Sequence, residues 1–200
     1  LRPRIHIPAH LRTAMLIATP ALIAAWALAG FYGSLGPMLV KKLLGSQSHL
    51  VGGIALGILA ASGAIAVFIL RARSARYLMT FGTIALVSGV AFTLAAIPAG
   101  SAALFFTGAV IAGCGFGGAF QGAIRSVIPQ AAAHERAGVL SIIYIVAYVA
   151  MGAPAVVGGV RLVHTHDVFR TAAEYGIAVI LLALAALAGS LSSSRARALA

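Results

Sequence analysis

Over residues 77–124 the chain runs for 48 residues without one Asp, Glu, Lys, Arg or His. Drawn out as a single helix, that run would extend about 72 Å at about 1.5 Å per residue. This is more than twice the roughly 30 Å of a bilayer's hydrocarbon core. The run therefore has to cross twice and turn back. The turn is legible at "IPAGS", residues 97–101, where Pro98 and Gly100 stop one helix and Ser101 can cap the next.

The rest of the chain divides the same way. Only 8% of its 200 residues are charged, against about 25% in soluble domains. The charges that remain leave four more apolar runs, each long enough for a span of roughly 20 residues. Six spans result, near residues 13–40, 49–70, 76–97, 101–124, 136–160 and 171–191. The fold class is an all-α integral membrane bundle. A basic lead-in occupies residues 1–12, the six-helix bundle 13–191 and a short tail 192–200.

A net charge of +11 invites a nucleic-acid reading, but its placement argues for a membrane. Arg2, Arg4, Arg12, Arg71, Arg73, Arg76, Arg125, Arg136, Arg195 and Arg197 fall at one end of the alternating spans; Lys41, Lys42, Arg161 and Arg170 fall at the other. This ten-to-four division of the 14 basic residues is the positive-inside pattern. It predicts both termini in the cytoplasm, with a bacterial plasma (inner) membrane as the location and lipid, rather than nucleic acid, as the partner. The lone Cys114 permits no internal disulfide. The opening "LRPRIHIPAH" reads as a basic loop entering a helix, with further chain expected before it.

Residues Gly113, Gly115 and Gly118 have the Gly-x-Gly-x-x-Gly spacing of a dinucleotide loop, and Glu135 lies about twenty residues on. That motif needs a strand before it and a helix after it, whereas here the glycines sit inside the long apolar run. No cofactor is implied. At about 100° per residue, Gly108, Gly115, Gly118 and Gly122 share one helix face, and Gly113, Gly117, Phe120 and Gln121 lie roughly opposite. Two glycine seams let neighbouring backbones approach, the contact that drives helix association in lipid. Gln121 is the one strongly polar side chain deep in the run, so it faces protein or a cavity. A structural bond between helices and contact with a solute are both open to it.

The first span ends in "GFYGSLGPM", where Gly30, Gly33 and Gly36 precede Pro37. Proline lacks a donor and clashes with the preceding turn, so the helix is expected to kink or unwind there. Phe31 and Tyr32, just before the break, and Trp26 are candidates for stacking on a solute, or for packing. The fifth span carries Ser141, Tyr144, Tyr148 and Gly152 on one stripe, then "GAPAVVGG", which Pro154 makes breakable. Phe31, Tyr32, Phe120, Gln121, Tyr144 and Tyr148 are thus the candidates for a solute path. Gly33, Gly36, Pro37, Gly115, Gly118, Gly122 and Pro154 are candidates for packing or gating. The third and sixth spans read as nearly featureless apolar rods facing lipid.

Four stretches, in their order and spacing, resemble the carboxyl-terminal half of a major facilitator superfamily transporter. They are "AWALAGFYGSLGP" in the first span, "RARSAR" between the second and third, "GFGGAFQGAIRSVIP" in the fourth and "HERAGVLS" entering the fifth. The resemblance implies a secondary carrier of two six-helix bundles rocking about a midplane site, with this chain as one bundle and an amino-terminal six-helix half as partner. It further implies that the first and fourth helices line the cavity, the second and fifth face the other half, and the third and sixth face lipid. Arg71, Arg73 and Arg76 would form the cytoplasmic gate loop. The family's Asp after a glycine has no counterpart, since Gly63 is followed by "AIAVFIL". "GAPAVVGG" resembles the glycine–proline motif of family antiporters, which points to efflux. The neutral aromatic candidates point to a small amphipathic or sugar-like solute.

Coupling chemistry is sparse: Glu135, Asp167 and Glu174 lie in loops or at a helix end, with Glu174 the only marginal candidate within the bilayer. The alternative readings are a standalone six-helix channel or homodimeric carrier and, as a minor one, an intramembrane hydrolase. The latter would use Ser34 of "GSLG" with His49 as base. The "HTHD" stretch of residues 164–167 has metal-ligand residue types but reads as an ordinary polar loop, so no metal is assigned.

Overall fold

The computed structural model describes residues 7–46 and 48–198. After a short 3₁₀ turn (Ala9–Leu11) come α1 (Arg12–Ser34), α2 (Gly36–Leu44), α3 (His49–Ile69), α4 (Ala75–Ala99), α5 (Ala102–Val127), α6 (Arg136–Thr165) and α7 (Val168–Ala198). All but α2 are long and apolar enough to cross a membrane, giving six candidate spans among the described residues. Arg2 and Arg4 lie outside the described residues, as does any account of the side chains of Arg195 and Arg197.

The helix boundaries follow local chemistry. At "IPAGS", α4 ends on Gly100 in the left-handed conformation (φ 58°), and the Ser101 hydroxyl accepts from Leu104 N at 3.3 Å to open α5. Glycine adopts that conformation without the Cβ clash other residues suffer. Ser74 caps α4 in the same way, accepting from Tyr77 N. Asp167 caps α7: its Oδ1 accepts from Phe169 N at 2.9 Å and Arg170 N at 3.1 Å. The "HTHD" acid thus serves a helix start.

The first expected span divides in two. Leu35 interrupts the helix two residues before Pro37, but its backbone stays helical and Leu39 N donates to Leu35 O at 2.9 Å, so the ladder resumes at once. The chain is interrupted there without unwinding. The fifth span behaves differently from expectation. α6 continues through Pro154 to Thr165. Proline removes one ladder bond, yet packing on both sides of it keeps the helix whole: Ala147 and Ala150 are buried before it, and Gly158 after it rests against the Tyr175 ring.

α1 and α5 form the centre. α1 packs on α5, α6 and α7; α5 packs on α1, α3 and α4; and α4 meets α7. Numbering the spans one to six and exchanging one with four, two with five and three with six carries this set of extensive interfaces onto itself. Each triplet holds an odd number of spans, so the two triplets run inverted relative to each other.

The third span is more than a lipid-facing rod. On α4, Gly82, Gly89 and Thr93 are buried against α5, Thr83 is buried as well, and only the other face, with Ile84 and Phe92, is exposed. The sequence pattern concealed this because its small residues are spaced seven apart in an otherwise uniform apolar run. The glycine seams of α5 are both used. Gly115, Gly118 and Gly122 meet α4, where a Cβ on Gly122 would stand 2.5 Å from Met79 N and one on Gly118 3.0 Å from Gly82 Cα. Gly113 and Gly117 meet α3 at Leu59, Ser62 and Gly63.

Candidate functional site

The six solute-path candidates separate into two groups. Phe31 and Tyr32 are fully buried in the core of the bundle. Phe31 stands edge-on to Tyr32 and Tyr175, with ring centroids 5.3 and 5.4 Å away. The Tyr32 hydroxyl bonds to the Thr93 hydroxyl of α4, which in turn donates to Gly89 O at 3.0 Å. Within this chain these two residues hold helices together. Pro37 and Gly36 lie at the same junction: a Cβ on Gly52 would touch the Pro37 ring, which docks α2 on α3. Gly33 is exposed.

The other four candidates form one surface. Phe116 and Phe120, one turn apart on α5, are nearly parallel with centroids 6.1 Å apart. Trp26 of α1 stands edge-on to both, at 5.8 and 5.4 Å, and to Tyr148 of α6 at 5.4 Å. Tyr144 reaches Phe120 at 6.3 Å and stacks along Tyr148. Edge-to-face geometry at these distances is favourable for aromatic rings. Tyr144 and Tyr148 remain 41% and 57% exposed, so the cluster is fixed on its inner side and open on its outer side. Trp26 and Phe116 join the site without having been among the six; the helical spacing Phe116–Phe120 was the available signal for the second.

Beside this cluster runs a groove of about 550 Å³ between α3 and α5, lined by Gly63, Val67, Phe68, Arg71, Phe116 and Gln121 among others. Gly63 and Gly117 form its floor because the two backbones touch there. The Gln121 amide makes no hydrogen bond to any described residue, so the option of a structural bond within this chain is not taken. Of the fully buried polar side-chain atoms, only the Trp26 indole nitrogen lacks a partner among the described residues.

The basic residues mark the two ends of the bundle. At one, Arg125 Nη1 donates to Arg71 O at 2.7 Å, tying the end of α5 to the end of α3. Arg71 lies over the Phe68 ring at 4.7 Å and Arg73 over Tyr77 at 5.4 Å. His10 meets Glu135 at 3.5 Å at this same end. At the opposite end Arg161 grips Glu174 through two hydrogen bonds of 2.8 and 3.0 Å, and Arg170 adds a third at 3.2 Å. Glu174, the marginal coupling candidate, is thus held by two guanidinium groups.

No family model, curated protein or solved structure matches this chain.

The residues of the hydrolase alternative are also placed. The Ser34 hydroxyl donates to Gly30 O at 2.7 Å, a bond within its own helix, and has no other partner among the described residues. The side chain of His49 lies outside the described residues. Among the described residues, no three of His, Cys, Asp and Glu come together as metal ligands.

Proposed function

We propose that this chain is the carboxyl-terminal half of a secondary transporter of the major facilitator type, moving a small amphipathic or sugar-like solute outward by alternating access. The observation that carries this reading is the open aromatic and amide surface built by α1, α5 and α6 beside the α3–α5 groove. Large rings and an unpaired amide in a membrane protein favour a solute path over lipid contact.

Two further features support it. The interfaces repeat under exchange of the two helix triplets, the arrangement expected of nested inverted repeats in such carriers. The flanking helices α3 and α6 also leave glycines free: Gly53, Gly57, Gly152 and Gly159 have open space where a Cβ would be. Small residues facing outward on membrane helices are landing points for other helices. The partner in this reading is an amino-terminal six-helix half, and Arg71, Arg73 and Arg76 line the cytoplasmic gate. A homodimeric carrier or channel would use the same open glycines against a second copy.

Reconstitution into vesicles separates the readings. The chain alone is expected to show no solute uptake, and uptake is expected to return on adding an amino-terminal six-helix bundle. Robust uptake by the chain alone would overturn the half-carrier reading in favour of the homodimer or channel.

A further inference from the structure

We propose that the α3–α5 groove selects an amphipathic organic monoanion, with its acidic group at Arg71 and its apolar body along Phe68, Phe116 and Phe120. The inference rests on the carrier reading above and narrows its solute class by charge.

The groove is complementary along its length to such a molecule. Its wall carries the rings of Phe68, Phe116 and Phe120, and its floor is the line where α3 and α5 touch at Gly63 and Gly117, so a flat apolar body can lie against the rings. Gln121 supplies an unpaired amide part-way along. Arg71 closes one end of the groove, and Arg125 is adjacent through its bond to Arg71 O. Neither guanidinium meets a carboxylate: the ion pairs of the described residues involve only Glu135 and Glu174, the first with His10 and the second at the opposite end of the bundle. A guanidinium beside an apolar groove, with no acid to neutralise it, favours an anion that buries its body in the groove and presents its charged oxygens to the paired N–H groups. A cation would be repelled by the two guanidinium groups and left with only the faces of the aromatic rings.

A second groove of about 510 Å³ lies between α1 and α6 and also contains an arginine, Arg12. Its lining of Ile7, Met15, Leu16, Thr19, Ile142 and Val146 has neither aromatic ring nor amide. That composition suits an acyl chain, and it provides an internal control.

Trp26, the single tryptophan of the chain, stands edge-on to Phe116 and Phe120, so its emission reports on the groove. The chain in phosphatidylcholine nanodiscs is titrated with 3-phenylpropionate, 3-phenylpropanol and 3-phenylpropylammonium. A saturable change in emission is expected with the anion, with the alcohol and the ammonium at least about tenfold weaker, the loss of roughly one charge-assisted hydrogen bond. Arg71→Gln should weaken the anion about tenfold, Arg71→Lys should recover part of the loss, and Arg12→Gln should change nothing. Circular dichroism on each variant guards against a folding defect. Equal binding of all three probes would overturn the charge assignment and leave the carrier reading standing, whereas no response to any of them would remove the solute site itself. An Arg71→Gln variant that binds the anion normally would also overturn the proposal. So would loss of anion binding when phosphatidylglycerol replaces part of the phosphatidylcholine, which would make the groove a lipid headgroup site.

Discussion

Tyr32 and Gln121 are polar side chains of membrane helices with opposite surroundings. The Tyr32 hydroxyl is buried and bonds to Thr93 across α1 and α4. Tyr32→Phe removes that bond and leaves Thr93 still donating to Gly89 O. The expected loss is about 0.6 to 1.7 kcal/mol, from the average to the maximum found for interhelical bonds in a membrane protein. It should appear as lower detergent stability with unchanged solute affinity. Gln121 has no partner to lose among the described residues and faces the groove. Gln121→Ala should therefore leave thermal stability in detergent unchanged and, in the proposed carrier, weaken solute affinity. A stability loss above about 1 to 2 kcal/mol with affinity intact would make Gln121 a structural residue.

At the scale of the element, α5 is the helix on which the bundle depends, because bare backbone lines it on two sides. A Cβ at Gly115 would overlap Leu86 N, and one at Gly82 on the facing helix would overlap Ala119 N. Four added carbons have no space there, and membrane helices lack a hydrophobic drive that would reseat them elsewhere. Gly115→Leu or Gly82→Leu is expected to cost at least about 1–3 kcal/mol, visible as poor expression and early melting in detergent. The outward-facing glycines give the contrasting case. Gly53→Leu and Gly152→Leu meet open space within this chain. Both variants should match the parent in melting temperature, yet in the proposed carrier they should impair assembly with an amino-terminal bundle and transport. Normal transport by both would show that α3 and α6 do not carry the interface.

The bundle as a whole has two ends that differ in charge. The described contacts group the start of α1, the end of α3, the end of α5 and the start of α6 at one end, through Arg125 with Arg71 and His10 with Glu135. Lys42 over Phe169 and Arg161 with Glu174 group the opposite end. The excess of arginine at the first end should place it in the cytoplasm. In a Cys114→Ala background, a cysteine at Ser46 should react with an impermeant reagent in intact cells, and one at Arg73 should react only after lysis. The reverse pattern would invert the topology.

The number of spans, their near boundaries and the turn at Gly100 and Ser101 were determined by the sequence alone. The cost of burying backbone in hydrocarbon forces helices, and the charge-free run is too long for one. The two seams of α5 were legible too, since helical periodicity assigns each glycine a face. What the sequence could not decide was which face met which neighbour. Phe31 and Tyr32 look as available as Tyr144 and Tyr148 when only type and spacing are known, and in a uniformly apolar chain no contrast in polarity separates a core face from a lipid face. Only the packing of α1 against α4, α5 and α7 buried the first pair, and among the described residues no further helix covers the outer face of α6, which left the second open. The same reason hid the working face of α4: Gly82 and Gly89 gain meaning from the backbone of α5 lying against them, and that proximity exists only in three dimensions.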